Sequence, residues 1–178
     1  NKYKARIKIL VHQVGADEFR RRVDEEWEQI RDSALKLPQQ EIDRINAYFA
    51  PPAYAAVKDE PELLAGQRAA NSEFDEWLNA NVADHKIPGY AIVNISLKSL
   101  RLPPGDMTAA QMDSVADLAD KYSFGELRVN HRQNLVLADV RQSDLLELWQ
   151  QLVALDLATP NIGRVSDNIA CPGLDYCA

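Results

Sequence analysis

Cysteine is scarce in this 178-residue chain: there are two, Cys171 and Cys177, both close to its C-terminal end. A disulfide-built secreted domain would carry more of them, spread along the chain, so a reducing, cytoplasmic setting is expected. Long apolar runs are missing too. No stretch approaches the roughly 18 apolar residues that a membrane-spanning helix needs, and no membrane partner is expected. Glycine is sparse, with 7 residues, and none of them builds a Gly-rich phosphate loop. Positive charge is outnumbered, 20 Lys and Arg against 27 Asp and Glu, for a net charge of −7. That balance argues against a nucleic-acid partner, although a local basic patch stays open. His12, His85 and His131 are far apart and match no metal-ligand spacing or nucleophile motif. The 178 residues show no charged-then-apolar leader with a small-residue cleavage site. The chain opens on Asn1 rather than Met, as an excised segment or a processed start would.

What remains is an ordinary globular composition, 46% apolar and 26% charged. The length suits one or two compact domains. Two textures divide it. Residues 1 to 87 read as helical. Ile7, Leu10, Val11 and Val14 recur at helical spacing over Lys4 to Val14, and Gly15 closes that segment. A second helix is predicted from Asp17 to Leu35, with a stripe of Phe19, Val23, Trp27 and Ile30. Ile42, Ile45 and Phe49 predict a third, stopped by Pro51 and Pro52. Residues 50 to 70 have little pattern and read as loop or weak helix. Ser72 to Asp75 resembles a capping box ahead of Phe74, Trp77, Leu78 and Val82.

From residue 88 onward strand and helix signals alternate. Ala91, Val93, Ile95 and Leu97 define one face of a strand over Tyr90 to Leu97. Thr108 and Gln111 form a capping box for a helix running to Tyr122. Two short strands, Leu127 to His131 and Asn134 to Val140, flank a polar break. Ser143 is placed to cap a helix built on Leu145, Leu148, Trp149, Leu152 and Val153, and Val165 to Ala170 is a candidate last strand. The order β-α-β-β-α-β is ferredoxin-like: one antiparallel sheet, helices on one face, and the other face free to cover something. The expected class is therefore α+β, a ferredoxin-like half-domain preceded by a mostly helical segment. Fold alone names no function.

Three features carry possible chemistry. In Cys171-Pro172-Gly173-Leu174-Asp175-Tyr176-Cys177, Pro172 and Gly173 bend the chain so that the two thiolates can converge. Structural zinc prefers a shorter spacing, and an iron–sulfur cluster commonly needs four cysteines. Spacing alone leaves two ordinary thiols, or a tail disulfide, as open readings. The run Asn130-His131-Arg132-Gln133-Asn134 interrupts two strands without the glycine of a simple hairpin. It suits either a solvated turn or the binding of an anion or a polar cofactor edge. The basic start, Lys2, Lys4, Arg6 and Lys8, suits a solvated helix face or the carboxylates of an anionic cofactor. Arg20, Arg21 and Arg22 are interleaved with acids and read as plain surface.

Taken together, the strings KARIKILVHQVGADEFRRRV, KIPGYAIVNISLK, PGDMTAAQM, FGELRVNHRQNLVLADV and ATPNIGRVSDNIACPGLDYCA resemble the siroheme- and 4Fe-4S-containing sulfite and nitrite reductase hemoproteins. They cover most of the chain, most weakly between residues 36 and 85. The resemblance implies the end of a first siroheme/cluster-type domain plus linker over 1–87. A ferredoxin-like half-domain follows over 88–160, and the truncated start of a second siroheme/4Fe-4S domain over 161–178. It implies Cys171 and Cys177 as two of four cluster ligands, with the other two expected downstream. It implies siroheme contacts from Gln133, with Asn134 and Arg132 as neighbours, and from Arg6, with Lys8 a weaker candidate. Substrate-binding and catalytic residues are expected outside this chain. The implied activity is six-electron reduction of sulfite to sulfide or nitrite to ammonia. The implied partners are the rest of the polypeptide and a ferredoxin or flavoprotein donor. The fragment alone is expected to be inactive and to hold neither siroheme nor cluster firmly. Two rivals share the topology. One is a non-enzymatic ligand-binding or sensor module. The other is an RNA-recognition domain, which stacks bases on aromatic residues of its central strands, whereas Leu127 to His131 and Asn134 to Val140 contain none.

Overall fold

The computed structural model describes residues 6–33, 35–57, 61–171 and 173. The chain divides between Ala53 and Tyr54 into two compact units. The first holds three helices: α1 (Ile7–Val14), α2 (Ala16–Ile30) and α3 (Gln39–Tyr48). Gly15 joins α1 to α2 at φ +86°, where a side chain would strain the backbone, and its N–H bonds Val11 O at 2.8 Å. The stripe predicted for α2 is not a buried one: no residue of these helices is buried, and Trp27 is 52% exposed. Arg21 and Arg22 pair with Glu18, and Arg21 also with Glu25, as interleaved charge on a solvated helix should. The second helix also ends sooner than predicted, at Ile30 instead of Leu35.

The second unit contains α4 (Pro61–Ala70), α5 (Ser72–Asn81), β1 (Val82–Asp84), β2 (Tyr90–Ile95), α6 (Ala109–Tyr122), β3 (Arg128–Val129), β4 (Leu135–Arg141) and α7 (Leu145–Ala154). The helix α4 falls where loop or weak helix was expected. Its sequence, PELLAGQRAA, is rich in helix formers and starts on a proline suited to the first turn. Only Leu64 packs against the core, so apolar periodicity could not announce it.

The N-cap of α5 is Asn71, one residue before the predicted Ser72. Its Oδ1 accepts from the N–H groups of Glu73 and Phe74, both at 3.1 Å. Asn71→Ala is expected to cost about 1 kcal/mol in denaturant unfolding, and an unchanged midpoint would contradict that role. The predicted cap of α6 is present: Thr108 and Gln111 bond reciprocally. Ser143 does not cap α7. It lies in a 3-10 turn, Gln142–Asp144, and Asp144 takes the cap position.

The sheet is antiparallel and four-stranded, in the order β1-β2-β4-β3. It matches a ferredoxin-like half-domain with one change of membership. Val165 to Ala170, the predicted last strand, is turn and irregular chain, with Val165 fully exposed. The edge beside β2 is instead taken by β1, which continues directly from α5. Three residues are too few to show alternation, so β1 was hidden inside the helical pattern.

The core forms where α5, α6 and α7 cover the sheet face bearing Ala91, Val93 and Ile95. Trp77, Val115, Leu137, Leu148 and Leu152 are all 0% exposed within it. The opposite face is less open than expected. Tyr90 points away from Ala91 and is buried, its ring near those of Tyr54 and Phe124. Tyr54 Oη donates to Asp139 at 2.6 Å, and Ala55 N–H donates to Tyr90 Oη at 3.2 Å. The stretch 54–57 thus acts as a strap over one end of that face.

Candidate functional site

The polar break between β3 and β4 folds into a compact turn. Asn130 organises it: its Oδ1 accepts from the N–H groups of Arg132 (2.9 Å) and Asn134 (3.1 Å). Gln133 takes the left-handed conformation, φ +59°, that a hairpin glycine would otherwise supply. Gly105 lies against it: a Cβ there would sit 3.0 Å from Gln133 Cβ, at a backbone φ of +93°.

Behind the turn lies a lysine that the sequence patterns did not single out. The Lys98 side chain is 1% exposed. Its Nζ donates to Arg132 O (2.6 Å), Gln133 O (2.9 Å) and Asn134 Oδ1 (3.1 Å). Asp167 Oδ1 stands 3.9 Å from that ammonium. Asp167 was missed as well. It accepts from Asn134 Nδ2 and from Gly163 N–H, each at 2.9 Å, and Arg132 Nη1 is 3.7 Å from its Oδ2. Burial alone pushes the Asp167 carboxyl up. The Gly163 and Asn134 hydrogen bonds and the charges of Lys98 and Arg132 outweigh it and hold the group below the ordinary aspartate value. Burial pushes Lys98 below the usual lysine value, and Asp167 opposes that.

Of the predicted siroheme contacts, Gln133, Asn134 and Arg132 are brought together. Asn134 is fully buried, and both ends of its amide are engaged, because Oδ1 also accepts from Leu97 N–H at 3.1 Å. The Gln133 amide grips the backbone of Ala170 from both ends: Nε2 donates to Ala170 O at 2.8 Å, and Ala170 N–H donates to Oε1 at 3.1 Å. Arg132 is exposed. Arg6 and Lys8 lie in the first unit, exposed, at the N-cap of α1 and on its first turn.

The residue after Ala170 is Cys171. It is a free, exposed thiol whose Sγ accepts from Gly173 N–H at 3.4 Å. Cys177, Lys2 and Lys4 lie outside the described residues. Among the described residues no group of three or more His, Cys, Asp or Glu is placed to hold a metal ion.

A turn of this composition, tied to a cysteine-bearing arm at the end of a half-domain, invites comparison with known proteins. Residues 99–155 match the family described as the nitrite/sulfite reductase ferredoxin-like half domain. The chain is homologous to that family. It is 25% identical over 178 residues to a chloroplastic ferredoxin–nitrite reductase of Betula pendula, covering 99% of this chain and 25% of that protein. It is 32% identical over 84 residues to the corresponding protein of Arabidopsis thaliana, covering 47% of this chain and 14% of that one. To the assimilatory ferredoxin-dependent nitrite reductase of Haloferax mediterranei it is 35% identical over 80 residues, 44% of this chain and 14% of that one. The chain spans at most about a quarter of the length of these relatives. No helix among the described residues is long and apolar enough to cross a membrane.

Proposed function

We propose that these residues are part of a siroheme- and 4Fe-4S-dependent reductase of nitrite or sulfite. The observation that supports it best is the Gln133–Ala170 pairing, in a chain homologous to this family. It joins the polar turn to the cysteine arm, the two motifs on which the resemblance rests most. The reductases named above are ferredoxin–nitrite reductases, which favours nitrite as substrate and ferredoxin as donor. In this reading 1–87 ends a first cofactor domain, 88–160 is the half-domain and 161–178 opens a second cofactor domain. The protein works in the cytoplasm.

The chain's residues fit part of such a cofactor set. Cys171 is exposed, carries an N–H to sulfur bond and can ligate; Cys177 is the second proposed ligand. Arg132 presents an exposed guanidinium suited to a tetrapyrrole carboxylate, with Arg6 and Lys8 as further cations. Gln133 and Asn134 are proposed to stand beside the siroheme. A direct contact from the Gln133 amide would compete with its hold on Ala170. When bound, the siroheme and cluster supply the electrons for a six-electron reduction. This chain's part is to wall the cofactors and to supply two of the cluster ligands. Without the remainder of the polypeptide it is proposed to be inactive.

The test is an assay of the full-length protein, purified without oxygen and supplied with reduced ferredoxin. Nitrite-dependent ammonia formation, or sulfite-dependent sulfide formation, is expected. A protein that holds siroheme and turns over neither anion would refute the reading. Gln133→Ala should lower siroheme content more than it lowers the unfolding midpoint. Full haem content with normal turnover would remove Gln133 from the site.

A further inference from the structure

We propose that Lys98 is a positioning residue: its buried ammonium holds the Gln133 turn in shape, and through that turn it sets the place of the arm carrying Cys171. Only the link to a cluster rests on the function proposed above; the clamp itself does not.

An ammonium has three N–H donors, and Lys98 Nζ spends all three on this turn: two successive carbonyls, Arg132 O and Gln133 O, and the Asn134 amide oxygen. Three oxygens converging within 3.1 Å of one point would repel one another without a cation between them. Gln133 also sits in a backbone region that non-glycine residues seldom adopt, held only where the surroundings insist on it. Lys98 supplies that insistence from the irregular stretch that follows β2. Burying an ammonium to 1% exposure carries a large desolvation cost, so this placement needs the three charge-assisted bonds and the nearby Asp167 carboxylate to offset it.

The turn then holds the arm at two points. Asn134 Nδ2 bonds Asp167, and Gln133 bonds both backbone groups of Ala170. Both grips depend on the conformation that Lys98 fixes. Residues 161–171 form no strand and no helix, so no regular ladder would keep Cys171 in place if those grips were lost. Lys98 therefore acts on Cys171 without being assigned any contact with it.

Hydrogen–deuterium exchange on the full-length protein tests this. In Lys98→Met, segment 168–171 should exchange about tenfold faster relative to the β2 and β4 segments. Exchange that rises only in step with those strands would reduce Lys98 to a general stabiliser and overturn the proposal. Should Lys98→Met fold poorly, Lys98→Met combined with Asp167→Asn removes both buried charges. That pair should regain strand protection while the 168–171 segment stays fast. A protected 168–171 segment in the double variant would equally overturn it. If the full-length protein proves to hold no cluster, the functional reading fails while the exchange result stands.

Discussion

In the full-length protein, Cys171→Ser or Cys177→Ser is expected to abolish the iron–sulfur signal in absorption and electron paramagnetic resonance spectra. A serine hydroxyl is a hard, neutral donor at neutral pH, whereas cluster iron is held by thiolate. The environment of Cys171 makes its loss specific. The thiol is exposed, so it contributes little packing, and among the described residues its one hydrogen bond is from the Gly173 N–H. The variant should therefore keep its fold, with an unchanged far-ultraviolet dichroism spectrum, while losing iron. A variant with the full cluster signal would remove that cysteine from the ligand set.

Asp167→Ala is expected to have the largest effect on stability of any single change in the site. The substitution leaves the Lys98 ammonium buried without a counter-charge, and it strips acceptors from Asn134 Nδ2 and Gly163 N–H. Breaking a buried pair on one side typically costs on the order of 3 kcal/mol. Asp167→Asn should cost less, because an amide oxygen can still accept. Acid should have a related effect on the wild type. The folded-state value of Asp167 is depressed, so its contribution is complete above the ordinary aspartate range and is lost as pH falls through the lowered value, below about pH 4. Denaturant titrations of the wild type and Asp167→Ala should thus differ at neutral pH and converge in acid. A neutral-pH difference under about 1 kcal/mol would show that the network is not a structural unit.

Much of the fold could be read from patterns of two and 3.6. Ala91, Val93, Ile95 and Leu97 alternate, and Met112, Val115, Leu118 and Ala119 recur at helical spacing. All of these are buried in the structure except Met112, which is 57% exposed. The failures have definite physical causes. The strand β1 is three residues long and runs on from a helix, so it has no period of its own. Val165 to Ala170 has strand formers in Val165 and Ile169 but no free partner beside β2, because β1 occupies that edge. The α2 stripe has the right spacing, yet Val23 and Trp27 stay half exposed, since periodicity reports amphipathicity and not the presence of a partner surface.

The site was half readable. Arg132, Gln133 and Asn134 stood out because polar residues broke two apolar strands, and Cys171 stood out by rarity. Lys98 gave no such signal. By alternation it falls opposite Leu97, on the side expected to be open, and only the folded turn shows that its ammonium is enclosed. Asp167 was absorbed into a predicted strand. Its role depends on Asn134, which lies 33 positions away in the chain and comes within 2.9 Å in the fold.

In the full-length protein this chain is expected to help hold a tetrapyrrole and an iron–sulfur cluster. Metal and pigment analysis of the full-length protein, purified strictly without oxygen, measures that directly. The expected preparation is coloured, with siroheme absorption bands together with iron and acid-labile sulfide in the proportions of one 4Fe-4S cluster. A well-folded preparation without colour, iron or sulfide would contradict it.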